Sequence, residues 1–303
     1  MLEASALSLE GEAAADAAPV PLNDAEKRLV LYAIARFESG LLPAHIGDPA
    51  QLAQSYGACN KNTDGAGLSY GYIQFTQHSG NLGKLLKRLR DRDSAAFASC
   101  FGADADALLQ TTNAATPEQR LQPVGQADLW ADGWVARFRE AAKIPAFQEE
   151  QDRLAIESFV NPNVLLATLL GFDTDRALAM LLDRCIQQGN GGGRSWVVSR
   201  VGPLQNDELR RQALDALGFE HLIDFQSTVQ GLSADGKWGP LTHAALLSSL
   251  RALGDHTPIA VPTREQMLDM LVASAAAEQR SWAHRPQALR QDAELLRDVR
   301  FAL

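Results

Sequence analysis

Apolar residues recur at helical spacing along much of the chain. In "NDAEKRLVLYAIARFESG", Val30, Ala33, Ile34 and Phe37 form an i, i+3, i+4, i+7 stripe, which predicts an amphipathic helix. Asn23, with Glu26 at the capping-box spacing, marks its start, and Gly40 is a natural stop. A second stripe, Leu82, Leu85, Leu86 and Leu89, predicts a helix in "GNLGKLLKRLRDRDSAAFASCF". Residues 127–189 read as helix with a break at Asn161-Pro162, and residues 263–303 as a long amphipathic helix. "GNGGGRSW" (189–196) reads as a hinge or turn. Residues 41–62 read as a loop, residues 103–122 as loop with a short helix, and the Ala/Glu/Pro-rich residues 1–22 as a flexible tail.

Between the first two helices lies "TDGAGLSYGYIQFTQHSGNLG". It predicts a Gly-rich turn from Asp64 to Gly67 and a short strand from Leu68 to Phe75. Strand alternation puts Tyr72 and Gln74 on one face, with Ile73 and Phe75 packing inward. Tyr70, Tyr72, Gln74, Thr76 and Asn81 offer rings, amides and a hydroxyl suited to a sugar chain. The fold class that follows is mainly α with one small β element, an α+β arrangement.

The two acids nearest this stretch carry its chemistry. Glu38 ends the first helix at the edge of the apolar stripe. Partial burial and the negative end of the helix dipole both favour the neutral carboxyl that a proton donor needs. Asp64, at the start of the Gly-rich turn, is placed to accept a proton from water. A carboxylic acid and a carboxylate flanking one bond are what glycoside hydrolysis requires.

Composition narrows the class. The chain has 303 residues, 46% hydrophobic and 21% charged, with a formal net charge of -9. That charge excludes a broadly basic nucleic-acid-binding surface. No run has the length and purity of a transmembrane helix, so membrane insertion is not expected. Cys59, Cys100 and Cys185 have neither disulfide-framework nor zinc spacing, and no metal or organic cofactor is expected. The N-terminus lacks the pattern of a Sec signal, which implies synthesis in the cytoplasm and non-Sec delivery to any outside target.

A helix ending in Glu, followed by D-G-x-G-x-[ST]-x-G, resembles the lysozyme-like superfamily, nearest to the chitosanase family. The resemblance spans roughly 24–200 and implies a two-lobed helical fold with a small β-hairpin. It places Glu38 at the general acid, Asp64 at the general base and Ser69 where the family has a Thr that helps hold the attacking water. "RFREAAKIPAFQEEQDRLAIESFVNP" and "ALAMLLDRCIQQG" follow the family's downstream pattern weakly. The Glu-to-Asp gap is longer than the family's. The loop 41–62 absorbs the difference, and Asp48 within it is a second candidate for the base. "FESG" also echoes lytic transglycosylases, which use a single Glu.

A second resemblance lies in "FQSTVQGLSADGKWGPLTHAAL". It is similar to three-helix peptidoglycan-binding domains through Phe225, Gln226, Gly231, Leu232, Asp235, Gly236, Gly239 and Thr242. Trp238 is its best stacking candidate, beside Asp235. This implies an inserted wall-binding unit at 203–254, with the catalytic domain formed by 23–202 and 255–303. Together the resemblances imply a muramidase-type peptidoglycan hydrolase, with chitosan or a transglycosylase reaction as alternatives, a non-catalytic wall-binding protein as the remaining one, and an endolysin or a delivered antibacterial effector as the setting. An effector would bring a secretion apparatus and an immunity protein as partners.

Overall fold

Residues 19–61, 65–257 and 259–303 are described by the computed structural model. The chain divides into two units, Leu31–Val160 and the residues up to Val30 together with Asn161–Leu303. Val20–Pro21 (β1) pairs in parallel with Phe301–Ala302 (β5). The end of the expected tail is therefore held in a short ladder, while residues 1–18 lie outside the described residues. Asn23 caps α1 (Asp24–Glu38): its Oδ1 accepts from Ala25 N at 2.9 Å and Glu26 N at 3.0 Å. The backbone N–H of Asn23 goes instead to Pro21 O at 2.9 Å, so only the Asn half of the predicted box is used.

In the Leu31–Val160 unit, the expected loop 41–62 contains a helix, α2 (Pro49–Tyr56), and a strand, β2 (Cys59–Lys61). Local chemistry accounts for the helix. Asp48 Oδ1 accepts from Ala50 N at 2.9 Å and Gln51 N at 3.2 Å, and Pro49 sits in the first turn, where its missing N–H costs nothing. The strand predicted from Leu68 to Phe75 is two strands, β3 (Leu68–Tyr70) and β4 (Phe75–Thr76). With β2 they form an antiparallel sheet in which Asn60 faces Ser69, and Ser69 faces Thr76. Gly71 (φ 89°) and Gln74 (φ 60°) take left-handed conformations that reverse the chain, so strand alternation does not run through 71–74.

The remaining helices of this unit are α3 (Asn81–Arg92), α4 (Ser94–Phe101), α5 (Ala105–Thr112), α6 (Pro117–Arg120), α7 (Asp132–Ala141) and α8 (Pro145–Ala155). Leu82, Leu85, Leu86 and Leu89 of α3 are buried as their spacing predicts. The basic face of α3 is taken up by ion pairs: Lys87 with Asp91, Arg88 with Glu157, Arg90 with Asp106 and Arg92 with Glu149. Phe138 of α7 packs on Tyr70 and Phe101, with ring centroids 4.8 and 5.5 Å away. A buried polar chain joins three helices: Tyr32 Oη lies 2.9 Å from Tyr56 Oη, which donates to Asp152 Oδ1 at 2.5 Å. Burial, above all, keeps the Tyr56 hydroxyl protonated throughout the accessible pH range.

The other unit holds α9 (Val164–Leu170), α10 (Asp175–Val198), α11 (Asp207–Ala216), α12 (Leu222–Thr228), α13 (Pro240–Ala252), α14 (Arg264–Ala277) and α15 (Arg285–Gln291). The glycine-rich stretch of α10 works as a reversal. Gly189 (φ 71°, ψ 160°) breaks the helix into two arms, and Gly193 brings the second arm against the first. A β-carbon on Gly193 would lie 2.4 Å from Cys185 N. The expected long helix over 263–303 is α14, α15 and an extended segment. Arg176 secures that segment, donating to the carbonyls of Leu289 (3.0 Å), Arg290 (2.9 Å), Asp292 (2.7 Å) and Leu296 (2.8 Å). Within 203–254, α13 packs against α9 and α10.

Candidate active site

Glu38 stands on the last turn of α1. The chain leaves the helix there because Gly40 is left-handed (φ 72°), while Ser39 returns both its N–H (2.8 Å) and its hydroxyl (3.1 Å) to Ala35 O. Asn60 of β2 reaches across to this turn. Its Nδ2 lies 3.5 Å from Glu38 O and donates to Gln74 Oε1 at 2.8 Å. Gln74 is fixed in turn by its own Nε2, which donates to Gly71 O at 2.8 Å. One amide thus links the end of the acid-bearing helix to the reversal between β3 and β4.

Glu38 opens onto a groove of about 1040 Å³ within the Leu31–Val160 unit. Its walls are the end of α1, residues of α2 with His45, the segment Gly57–Asn60, and Arg139, Glu140 and Lys143 at the end of α7. His45 Nδ1 accepts from Leu42 N at 3.2 Å, which orients its ring. Gly57 sets the approach of α7, because a β-carbon there would lie 3.1 Å from Ala142 Cβ and 3.4 Å from Arg139 Cα. Burial pushes the Cys59 thiol up to about 12, with the Arg139 charge acting in the opposite direction. Cys59 is therefore a neutral thiol in this wall.

The residues singled out from the sequence separate into three groups. Glu38 and Gln74 are both half-buried, and Asn60 joins them. Asp64 lies outside the described residues, in the connection from β2 to β3. Ser69, Tyr70 and Tyr72 are buried, at 1%, 0% and 0% exposure. Tyr70 donates its hydroxyl to Phe138 O at 3.0 Å, and the Tyr72 ring packs on Tyr32 and Tyr56, so these rings serve the core and offer no face to a glycan. Ser69 sits in the middle strand between Asn60 and Thr76, and the groove wall is formed by Asn60 rather than Ser69.

Thr76 and Asn81 are half-buried at the turn before α3. Thr76 Oγ1 donates to Ser79 Oγ at 2.7 Å, and that hydroxyl accepts from Asn81 N at 3.2 Å. Asp48 caps α2. In the 203–254 segment, Asp235 is a turn residue whose Oδ1 accepts from Lys237 N at 2.9 Å, which lowers its pKa. Gln226 holds the same turn, donating to Lys237 O (3.0 Å) and Thr242 Oγ1 (3.1 Å) and accepting from Gly236 N (2.8 Å). Trp238 is half-buried with the Arg210 guanidinium 4.4 Å from its ring centre, so one stacking face is already covered.

Asn60 and Arg139 were not read from the sequence. Asn60 belonged to a presumed loop. Arg139 and Lys143 follow an apolar stripe at a spacing indistinguishable from that of a solvated helix face.

No protein-family model and no curated protein matches the chain. Among solved structures it is similar to GH46 chitosanases. One is the chitosanase from Gynuella sunshinyii in complex with chitotetraose, at 17% identity and a TM-score of 0.43 over 87% of this chain and 90% of that one. A native chitosanase from Bacillus subtilis matches at 16% identity and 0.44 over 89% of each chain. A chitosanase co-crystallised with substrate matches at 18% identity and 0.44 over 62% of this chain and 73% of that one.

Proposed function

We propose that the protein is a glycoside hydrolase that cuts the glycan strands of peptidoglycan. The observation that carries this reading is the position of Glu38, on the terminal turn of a helix and opening into a groove of about 1040 Å³. Glu38 donates a proton to the departing glycosidic oxygen. Asp64, in the Gly-rich connection that follows Asn60 and Lys61, takes a proton from the attacking water. Asn60, bonded to Gln74 and 3.5 Å from Glu38 O, ties the turn bearing Glu38 to the sheet, so the acid meets the bond with little reorganisation. Inversion follows if the carboxyl groups stand about 6.5–9.5 Å apart, and retention if they stand about 5–5.5 Å apart.

Peptidoglycan is favoured as the polymer by the wall-binding pattern in 203–254, where Gln226 holds the "ADGKWGP" turn. The setting in this reading is the wall of a target cell, reached as an endolysin or as a delivered effector with an immunity protein in its producer. Chitosan is the second reading, favoured by the hairpin pattern around Asp64 and by the net charge of -9.

Mass spectrometry of products from digested sacculi tests the proposal. Reducing, hydrated ends made by the wild type and absent with Glu38→Gln are expected. Cleavage of soluble chitosan with intact sacculi would overturn the choice of polymer. Products ending in 1,6-anhydro sugars would replace hydrolysis with single-Glu transglycosylation.

A further inference from the structure

Arg139 is the side chain in the groove whose charge has no assigned use. Helix α7 buries Trp134, Phe138 and Ala141 and turns Arg139 outward into the groove wall. The close approach permitted by Gly57 fixes the helix there. Lys143 Nζ is held by Glu140 Oε1 at 2.6 Å, so those two charges largely cancel. Among the described residues no ion pair engages Arg139. Four of the five basic residues of α3 are different, since Lys87, Arg88, Arg90 and Arg92 each meet a carboxylate.

The charge balance of the groove follows. Among the described residues its ionisable wall consists of Glu38, His45, Arg139 and the Glu140–Lys143 pair, besides the neutral Cys59 thiol; Asp64, which the proposed mechanism also brings here, lies outside them. Among the described residues, Arg139 brings the positive charge of this wall that no ion pair engages. The formal charge of -9 belongs to the whole molecule, and at physiological ionic strength charges beyond about 8 Å are largely screened. Groups close to the substrate therefore weigh more in its selection than that total. A carboxylate on the substrate meets in Arg139 a planar donor matched to it.

We propose that Arg139 is a specificity-determining residue that binds a carboxylate of the glycan's acidic stem peptides in the groove that Glu38 lines. This rests on the peptidoglycan reading and deepens it.

Binding and cleavage together test it. Isothermal titration would compare a tetrasaccharide bearing free-acid stem peptides with its fully amidated form, on the Glu38→Gln protein with and without Arg139→Ala. The expected result is a loss of about tenfold in affinity for the free-acid ligand on removing Arg139, the lower end of the range for one charge-assisted contact. Amidation of the ligand should bring a similar loss when Arg139 is present and little when it is absent. Arg139→Lys should recover part of the affinity, and circular dichroism melting would confirm that each variant is folded. Equal binding of both ligands with Arg139 present, or no effect of Arg139→Ala on the free-acid ligand, overturns the assignment while leaving hydrolysis intact. A wild-type protein that cuts no peptidoglycan strand overturns the functional reading and this assignment with it.

Discussion

Asn60 donates its side-chain amide to Gln74 at 2.8 Å while the same nitrogen lies 3.5 Å from the carbonyl of Glu38. The residue that bears the acid and the residue that reverses the β3–β4 turn are therefore positioned by one side chain. The lock is solvent-accessible, so its contribution to stability is small, about 1 kcal/mol. Its contribution to geometry is larger, because misplacing a catalytic group by about 1 Å can cost about 100-fold in rate. Asn60→Ala is expected to lower kcat on sacculi by at least about tenfold with a melting temperature close to that of the wild type. Gln74→Gly should keep the turn, since glycine accepts φ 60°, yet lose the lock and show the same kinetic defect. Steady-state kinetics and thermal melts of both variants check this.

The helices were legible because their determinants are local. Asn23, the Val30–Phe37 stripe and the leucines of α3 needed no tertiary information to be read. The sheet was less legible. Gln74 gives no warning that it will adopt a left-handed conformation, and together with Gly71 it converts one predicted strand into two, with Tyr72 buried between them. The aromatic residues of the β3–β4 hairpin read as a sugar platform because hydrophobic and stacking roles use the same side chains. Their burial against Tyr32, Tyr56 and Phe138 depends on partners far along the chain. Arg139 illustrates the converse: its place in the groove comes from the close approach at Gly57, a contact no periodicity encodes.

Gly193 is expected to be irreplaceable in its unit. A methyl group there would meet backbone atoms of Arg184 and Cys185 at 2.4–2.5 Å, and backbone cannot rotate out of the way. Gly193→Ala should destabilise by about 3 kcal/mol, the upper part of the range for overpacking. Gly191→Ala, where a β-carbon meets nothing within 4 Å, should be neutral or slightly stabilising. Urea denaturation midpoints of the two variants separate the close-approach account from a general need for flexibility in this stretch.

His243 should make its unit acid-sensitive. Burial holds its pKa down to about 4; the nearby Val201 carbonyl, 3.4 Å from Nε2, raises it and the Arg210 charge lowers it further. An unfolded histidine titrates near 6.5. As pH falls, the unfolded chain takes up this proton first, so stability is full above about 6.5 and declines until the folded pKa is reached near 4. The loss across that window is about 3 kcal/mol. Urea midpoints at pH 7 and pH 4.5 should differ accordingly, and His243→Gln should flatten that part of the dependence. A dependence unchanged by the substitution would assign it to carboxylates elsewhere.

Asp48 and Asp64 are the two acids that could serve as partner to Glu38, and the cap of α2 separates them. Asp48 Oδ1 accepts from both Ala50 N and Gln51 N, a role that needs an oxygen and no charge. Asparagine caps a helix as well as aspartate does, so Asp48→Asn should preserve both stability and sacculus cleavage to within about twofold. Asp48→Ala should cost about 1 kcal/mol through the lost cap. A base has no such tolerance, because an amide cannot take the proton from water. Asp64→Asn should therefore reduce turnover by at least about 100-fold while melting like the wild type. If Asp48→Asn proves the inactive variant and Asp64→Asn the active one, the base moves to the start of α2. If both retain activity while Glu38→Gln loses it, the reaction runs on one carboxyl group, and the anhydro-sugar products of a transglycosylase should then appear.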